Sequence, residues 1–443
     1  MNAVVKNKVG RNLLWLIWSG TVSVANSVLL WIFIARMRDV EELGRFTVVM
    51  GLYALFFNVC SLGLMPKLVT EVSRRDETGS PAKDTNKIIA FVSSAAVLLS
   101  ISGFICAGLM TAVGLAVSQS WSVRVSTLIL SLALIPTGLI CVAESTAVAL
   151  GRTRLIAFAS TFENVLRTVV PLVLLWFGCD ITVICVSLTA VRFAALFVYL
   201  WTARGRLVHF AFNKLDFFKL ARISPTFGGM IILASVNWQA AIILLGVFST
   251  EIESAKYGIA SRFLIPVSIL MGSYANVIQP VVTQHARKSL ADAGRYLSKM
   301  VAYPLVLATF AAIVSPFLSR QVLTVFFGAN YADASAALDI LAMSVVPFCV
   351  VMVVSRGLIA ANSQRIDLLA NAVGVIVCVT AATILIPRFG AVGAAIAQTL
   401  SFLAIALTES LYLSKKIIGF RIWRKACLSS AFLTAIYLIL WKL

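Results

Sequence analysis

Charge is scarce in this sequence. Charged residues make up 12% of its 443 residues, about half the roughly 25% of an average soluble domain. Hydrophobic residues make up 60%. A soluble fold of this composition would lack the polar surface to cover itself. That excludes a soluble enzyme, a disulfide-held secreted scaffold, a disordered chain and a nucleic-acid-binding domain. Catalytic motifs are missing too. There is no Gly-Lys dipeptide and hence no phosphate-binding P-loop. The two histidines, His209 and His285, belong to no HExxH motif. The eight cysteines form no CxxC pair and no metal-ligand spacing, so they read as small apolar packing residues. No loop is large enough for an extramembrane catalytic domain. The expectation is a protein that is not an enzyme, with no cofactor and no metal. Without a nucleotide site, any uphill transport must draw on an ion gradient or on downstream consumption of product.

What is present is apolar sequence in runs. Thirteen segments stand out, at roughly 12–35, 46–68, 88–112, 125–150, 155–177, 181–202, 225–248, 257–282, 299–318, 336–358, 367–387, 391–413 and 426–441. Each is long enough for a membrane span of about 20 residues, except the last, which spans with local bilayer thinning or lies in the interface. Each must be helical, because lipid offers no partner to a free backbone N–H or C=O. The first follows Lys6, Lys8 and Arg11 and is too long for a signal-peptide core, so it reads as an uncleaved span. With the N-terminus cytoplasmic, 26 of the 37 Lys and Arg fall in cytoplasmic segments, 8 outside and 3 within spans. This is the positive-inside pattern. It accounts for most of the +19 net charge without a nucleic-acid partner.

The longest loops, about 69–87 and 203–224, are both cytoplasmic in this orientation. The second interleaves aromatic and basic residues and sits midway between two sets of six spans. It reads as an inter-lobe linker, amphipathic enough to lie on the inner leaflet or simply a basic loop. The division is then an N-lobe at 1–202, a linker at 203–224, a C-lobe at 225–414 and an extra C-terminal helix at 415–443. An internal repeat supports two lobes. At an offset of 211 residues Asn26 pairs with Asn237, Glu42 with Glu253, Arg45 with Lys256, Phe46 with Tyr257 and Arg154 with Arg365. Six spans per lobe make the repeat parallel.

The candidate functional residues are charges within spans: Glu144, Glu163, Arg167, Arg192 and Arg262. A charge at the bilayer centre costs about 2.5–3.5 kcal/mol on insertion scales, so such groups face a bundle interior or a wet cavity. Glu163 and Arg167 stand at i and i+4, the spacing at which they neutralise each other. Arg262 lies near a span end, within reach of the interface. Arg192 and Glu144 have no partner on their own helices and either pair across helices or act. Arg192 is the foremost candidate for an anion contact, since guanidinium binds phosphate bidentately. Glu144 and Glu163 are candidates for a coupling proton or cation. Asn26 and Asn237 stand out among mid-depth polar residues because the repeat matches them. Pro136, Pro171, Pro266, Pro304 and Pro347 interrupt spans and permit kinks.

Several stretches resemble the multidrug/oligosaccharidyl-lipid/polysaccharide exporter superfamily, in its Wzx-type polysaccharide and O-antigen flippase branch. They are residues 34–46 with 61–69, residues 257–263 with Gln279 and Pro280, residues 326–334, and residues 356–416. The resemblance implies an all-α, MATE-like core of twelve helices in two lobes, open alternately to each side of the membrane. Its implied cargo is an undecaprenyl-pyrophosphate-linked oligosaccharide moved outward across a bacterial inner membrane, with polymerase and glycosyltransferase machinery as possible partners. A cationic cavity suits the pyrophosphate, which fits Arg192 and Arg262. Lipid II flippases carry charges within the first two spans, whereas here those interiors offer Asn26 and Asn58. The rival readings are a cation-coupled multidrug antiporter, which needs a dominant acidic site, and a glycan polymerase or ligase, which needs a long outer loop.

Overall fold

A computed structural model describes residues 25–76, 81–118, 120–202 and 211–416. The expected N-terminal basic cluster, residues 203–210 of the 203–224 linker and the thirteenth segment at 426–441 lie outside the described residues. Every regular element among the described residues is helical, as a backbone inside lipid requires. In chain order they are α1 (Ala25–Met37), α2 (Val40–Cys60), α3 (Met65–Asp76), α4 (Pro81–Val117), α5 (Trp121–Ser131), α6 (Leu134–Ala149), α7 (Thr153–Trp176) and α8 (Ile181–Thr202). Then come α9 (Lys214–Phe248), α10 (Glu251–Arg262), α11 (Leu264–Lys288), α12 (Leu290–Phe327), a 3₁₀ segment (Ala329–Ala334), α13 (Ser335–Ala360) and α14 (Gln364–Lys416). Ten stretches of helix among them are long and apolar enough to cross a membrane, and the chain is a multi-pass membrane protein.

The helices depart from the apolar runs in informative places. The run 125–150 is two helices, α5 and α6, and the run 257–282 lies within α10 and α11. Pro136 and Pro266 each fall in the first turn after the break, where a missing N–H costs nothing. Pro171, Pro304 and Pro347 lie inside continuous helices. Residues 214–224, expected in a linker, are the first turns of α9. There Asp216 and Leu220 are buried while Leu215 and Phe218 are exposed. The runs 367–387 and 391–413 are the two arms of α14, which meet at Gly390 with φ 53° and ψ −126°. The arms pack antiparallel, since the Ser401 hydroxyl donates to the Gly374 carbonyl at 2.8 Å. A glycine is required at the bend because an L side chain rarely adopts that backbone conformation.

The chain divides into two compact units, Met1–Met37 with Val49–Ser235, and Arg38–Val48 with Val236–Leu443. The first unit is held by close backbone approach as well as by apolar burial. A Cβ at Gly103 on α4 would lie 2.8 Å from the Leu134 carbonyl oxygen, and one at Gly138 on α6 would collide with the Leu99 carbonyl. Small residues at matching points let two membrane helices touch. Around that contact Leu68, Phe91, Leu99 and Val142 form a buried cluster. The second unit centres on α13, where Val346, Val353 and Leu358 are fully buried, and on a triad of rings, Trp238, Phe348 and Phe402. Helix starts also keep the offset seen in the sequence: α2 and α10 begin at 40 and 251, α7 and α14 at 153 and 364.

Candidate functional site

Arg192 sits in the middle of α8, inside the first unit, and three other helices hold it. Its Nη1 pairs with Oε1 of Glu163 on α7. Its Nε donates to Oγ1 of Thr137 on α6 at 3.2 Å. Its guanidinium carbon lies 5.1 Å from the centre of the Phe57 ring on α2, within range of a cation–π contact. Both members of the ion pair are largely buried, with 12% and 10% of their side chains exposed. A buried, hydrogen-bonded pair of this kind costs about 3–5 kcal/mol to break from one side, because the remaining charge is stranded.

This pairing is neither of the two that the spacing suggested. Glu163 is not spent on Arg167, and Arg192 is not paired with Glu144. Glu144 accepts a hydrogen bond from the Tyr199 hydroxyl at 2.7 Å. Arg167 is half-buried and forms no ion pair among the described residues, and it lines a narrow pocket with Tyr53, Glu163 and Arg192. Two guanidinium groups against one carboxylate leave that pocket with one net positive charge. Of the two guanidinium groups in the pocket, that of Arg192 is bound to Glu163 and that of Arg167 has no ion-pair partner among the described residues.

The matched asparagines part company. Asn26 contributes its backbone carbonyl, which accepts from the Thr168 hydroxyl at 3.3 Å. Asn237 is buried, and its Oδ1 accepts from the Ser401 hydroxyl at 2.9 Å and from Gln398 Nε2 at 3.4 Å. It ties α9 to α14 within the second unit, the ordinary work of an amide between membrane helices. Arg262 is the last residue of α10, half-buried beside the break at Phe263. The conserved-offset charges around residues 41–45 and 251–256 are consumed in ion pairs, Arg45–Glu251 at 2.6 Å and Lys256–Glu253 at 2.8 Å among them.

The structure also gathers into one face residues that the sequence reading does not connect. On α11, Asn276, Gln279, Thr283, Gln284 and Arg287 recur at three- and four-residue spacing and line one open pocket. The cavity before this face is about 360 Å³, within the roughly 300–1,000 Å³ of small-molecule sites. A row of amide, hydroxyl and guanidinium groups cannot face lipid without heavy desolvation cost, so it faces water. Leu270 and Val277 give the same helix its strongly exposed apolar side. Buried acids are the other omission. Asp339 accepts from the Ser315 hydroxyl at 2.6 Å, and Glu409 on α14 is fully buried. The rule that singles out Glu144 applies to both, since they lie in the apolar runs 336–358 and 391–413.

Comparison with known proteins places this architecture. The family model described as polysaccharide biosynthesis protein matches residues 9–286, and the model described as lipid II flippase MurJ matches residues 254–443. A curated relative from Haloferax volcanii, named as a probable low-salt glycan biosynthesis flippase, Agl15, is 26% identical over 207 residues. That match covers 45% of this chain and 44% of the relative, so the chain spans less than half the length of the curated relative. Among solved structures, a lipid II flippase MurJ in an inward closed conformation superposes with a TM-score of 0.74 at 15% identity, covering 96% of this chain and 93% of that one. An inward-facing multidrug resistance MATE family transporter superposes with a TM-score of 0.62 at 13% identity, covering 92% and 95%. These two share the fold.

Proposed function

We propose that this chain, which belongs to the polysaccharide biosynthesis protein family and with it to the multidrug/oligosaccharidyl-lipid/polysaccharide exporter superfamily, is a flippase for an undecaprenyl-pyrophosphate-linked oligosaccharide. It carries the repeat unit from the cytoplasmic to the outer leaflet of a bacterial inner membrane by alternating access. The unit then feeds a surface polysaccharide, O-antigen or exopolysaccharide. The observation that supports this most directly is Arg167, a membrane-helix cation without an ion-pair partner among the described residues, beside Arg192 in a pocket of net positive charge. Guanidinium groups match pyrophosphate in geometry and charge, and a drug-cation antiporter has no use for such a site. The exposed face of α11 supplies amides and hydroxyls of the kind that hydrogen-bond sugar hydroxyls.

The lipid tail stays in the bilayer while the charged and glycosylated head passes the polar groups. Glycosyltransferases supply this cargo and a polymerase consumes it. The part matched by the lipid II flippase model, 254–443, does not include the first two spans, and the Asn58 side chain there donates to the Ala54 carbonyl of its own helix. That favours a cargo other than lipid II.

The test is a deletion strain of the native host. Surface polysaccharide is quantified, and lipid extracts are analysed by mass spectrometry for undecaprenyl-pyrophosphate oligosaccharide. Loss of the first with accumulation of the second is the expected result, and the mass identifies the glycan. Normal surface glycan without accumulation, in a strain with no second flippase, overturns the reading in favour of a cation-coupled antiporter.

A further inference from the structure

The two arms of α14 run antiparallel with a known register. Ser401 and Ile405 on the second arm lie against Gly374 on the first. One turn beyond Ile405 comes Glu409, and two turns before Gly374 comes Asp367, so the two carboxyl groups are brought face to face. Leu413, one further turn on, packs with Leu297 of α12 on Gly357 of α13. Glu409 has no exposed surface, and neither of its carboxyl oxygens has a hydrogen-bond donor. The hydroxyl of its neighbour Ser410 is likewise buried without a partner.

The charged groups facing this point can be named from each element. From the first arm of α14 it is Asp367, whose Oδ1 accepts from Asn371 Nδ2 at 3.0 Å. From α13 it is Arg356, whose charge acts on Asp367. Its Nη1 donates to Oε1 of Gln279 on α11 at 3.3 Å, and its Nε is buried without a partner. Lys416, at the end of the second arm, is turned away to the Ser363 hydroxyl at 2.6 Å and the Ala361 carbonyl at 3.0 Å. From α12 no charged group is recorded at this point among the described residues.

An ionised carboxylate in that setting has two acceptor oxygens, no donor, no cation of its own and a second carboxylate opposite. The cost of such a charge in a dry interior is many kcal/mol unless it is neutralised. Asp367 accepts from the Asn371 amide, whereas neither oxygen of Glu409 has a donor. We propose that Glu409 is a proton-binding site of this transporter, with its O–H donated to Asp367, and that loss of this proton to water is the ion-coupled step of transport. Arg356 connects the pair to the cargo face. It is engaged electrostatically with Asp367 and hydrogen-bonded to Gln279, so a new anion at Glu409 competes for the guanidinium and draws it from the α11 face. The coupling role rests on the flippase reading; the proton site does not.

The test is infrared spectroscopy of the full chain in lipid bilayers at neutral pH. Wild-type protein is expected to show a carboxylic-acid C=O band that shifts on transfer to D₂O. Glu409→Gln is expected to lack it, and Asp367→Asn to move its frequency because the acceptor has changed. If the Glu409→Gln and wild-type spectra coincide in that region, there is no proton at Glu409 and the proposal falls. If Glu409→Gln does not fold, an unmoved band in Asp367→Asn has the same consequence. The same bilayers, loaded with lipid-linked oligosaccharide, give the second readout. Wild type is expected to translocate several-fold faster with an imposed pH gradient, and Glu409→Gln to lose that stimulation. A pH gradient without effect on wild-type translocation overturns the coupling step. A band that behaves as expected in a chain that moves no lipid-linked glycan overturns the flippase reading and leaves the proton site standing.

Discussion

The guanidinium of Arg192 on α8 is bound to the carboxylate of Glu163 on α7, one helical turn before Arg167 on that same helix. The pairing decides the charge of the pocket. Had Glu163 turned to Arg167, both groups would have cancelled along one helix face and Arg192 would have stood alone. Instead the strong, nearly dry pair is between helices. It fixes α7 against α8 and leaves a half-buried arginine lining the narrow pocket beside it. An ion pair in this position is also a scaffold, because Thr137 and Phe57 hold the Arg192 side chain from two further helices.

Arg167→Gln is expected to cut translocation by about 10- to 100-fold, the range of one charge-assisted contact of roughly 1.5–3 kcal/mol. Protein level and melting temperature should stay near wild type, since no ion pair is broken. The check is restoration of surface polysaccharide in the deletion strain at matched expression. Full restoration removes Arg167 from the site.

Arg192→Ala is expected to do two kinds of damage. It removes a cation from the pocket, and it strands a buried carboxylate at a cost of about 3–5 kcal/mol, so melting temperature and protein yield should fall with activity. The double variant Arg192→Met/Glu163→Leu should recover much of the stability and none of the transport. A double-mutant cycle on thermal unfolding in detergent measures the coupling. Additive losses at the two positions mean that the pair holds nothing together.

Gly390→Ala is expected to lower the melting temperature. The bend between the arms of α14 has a conformation that costs a side-chain-bearing residue roughly 1–3 kcal/mol. The added methyl also meets the Glu253 carboxylate, which accepts from the Ala391 N–H at 2.8 Å. Glu253→Ala in combination should lower stability less than the two changes summed, because the clash and the lost acceptor share one group.

Gln279→Ala is expected to weaken transport of a lipid-linked glycan and to lower stability by about 1–3 kcal/mol, since it removes the acceptor of the Arg356 guanidinium. The readout is accumulation of lipid-linked oligosaccharide in whole cells carrying the variant. Unchanged flux in Gln279→Ala and in Asn276→Ala together takes the α11 face out of the cargo path.

The membrane class, the all-helical fold and the superfamily follow from sequence because each rests on a repeated signal. Apolar runs recur along the chain, basic residues alternate between loops, and the 34–46 and 356–416 stretches carry the resemblance. The candidate site was legible in part. Glu163, Arg167 and Arg192 stand out as charges in apolar segments, and they meet in one pocket. Their pairing was hidden, because i,i+4 spacing on α7 suggests a bond that the approach of α8 pre-empts. Glu409 was equally visible as a charge in 391–413, but what distinguishes it is burial without a donor, and one-dimensional spacing carries no such signal. The α11 row was hidden for a different reason: single amides in a helix look like ordinary interhelical bonds until the space before them is seen to be open.

By itself the sequence determined which segments enter the membrane, that they are helices, and which charges enter with them. Insertion and backbone satisfaction depend on local composition, and local composition is written along the chain. Only the tertiary structure decided which of those charges cancel. Electrostatic pairing depends on distances between helices, and Arg192 and Glu163 are 29 residues apart in the chain but in direct contact in the fold. The same packing left Arg167 without an ion-pair partner among the described residues, joined Arg356 to Gln279 and buried Glu409 completely, because side chains at one depth meet whatever neighbouring helices present there.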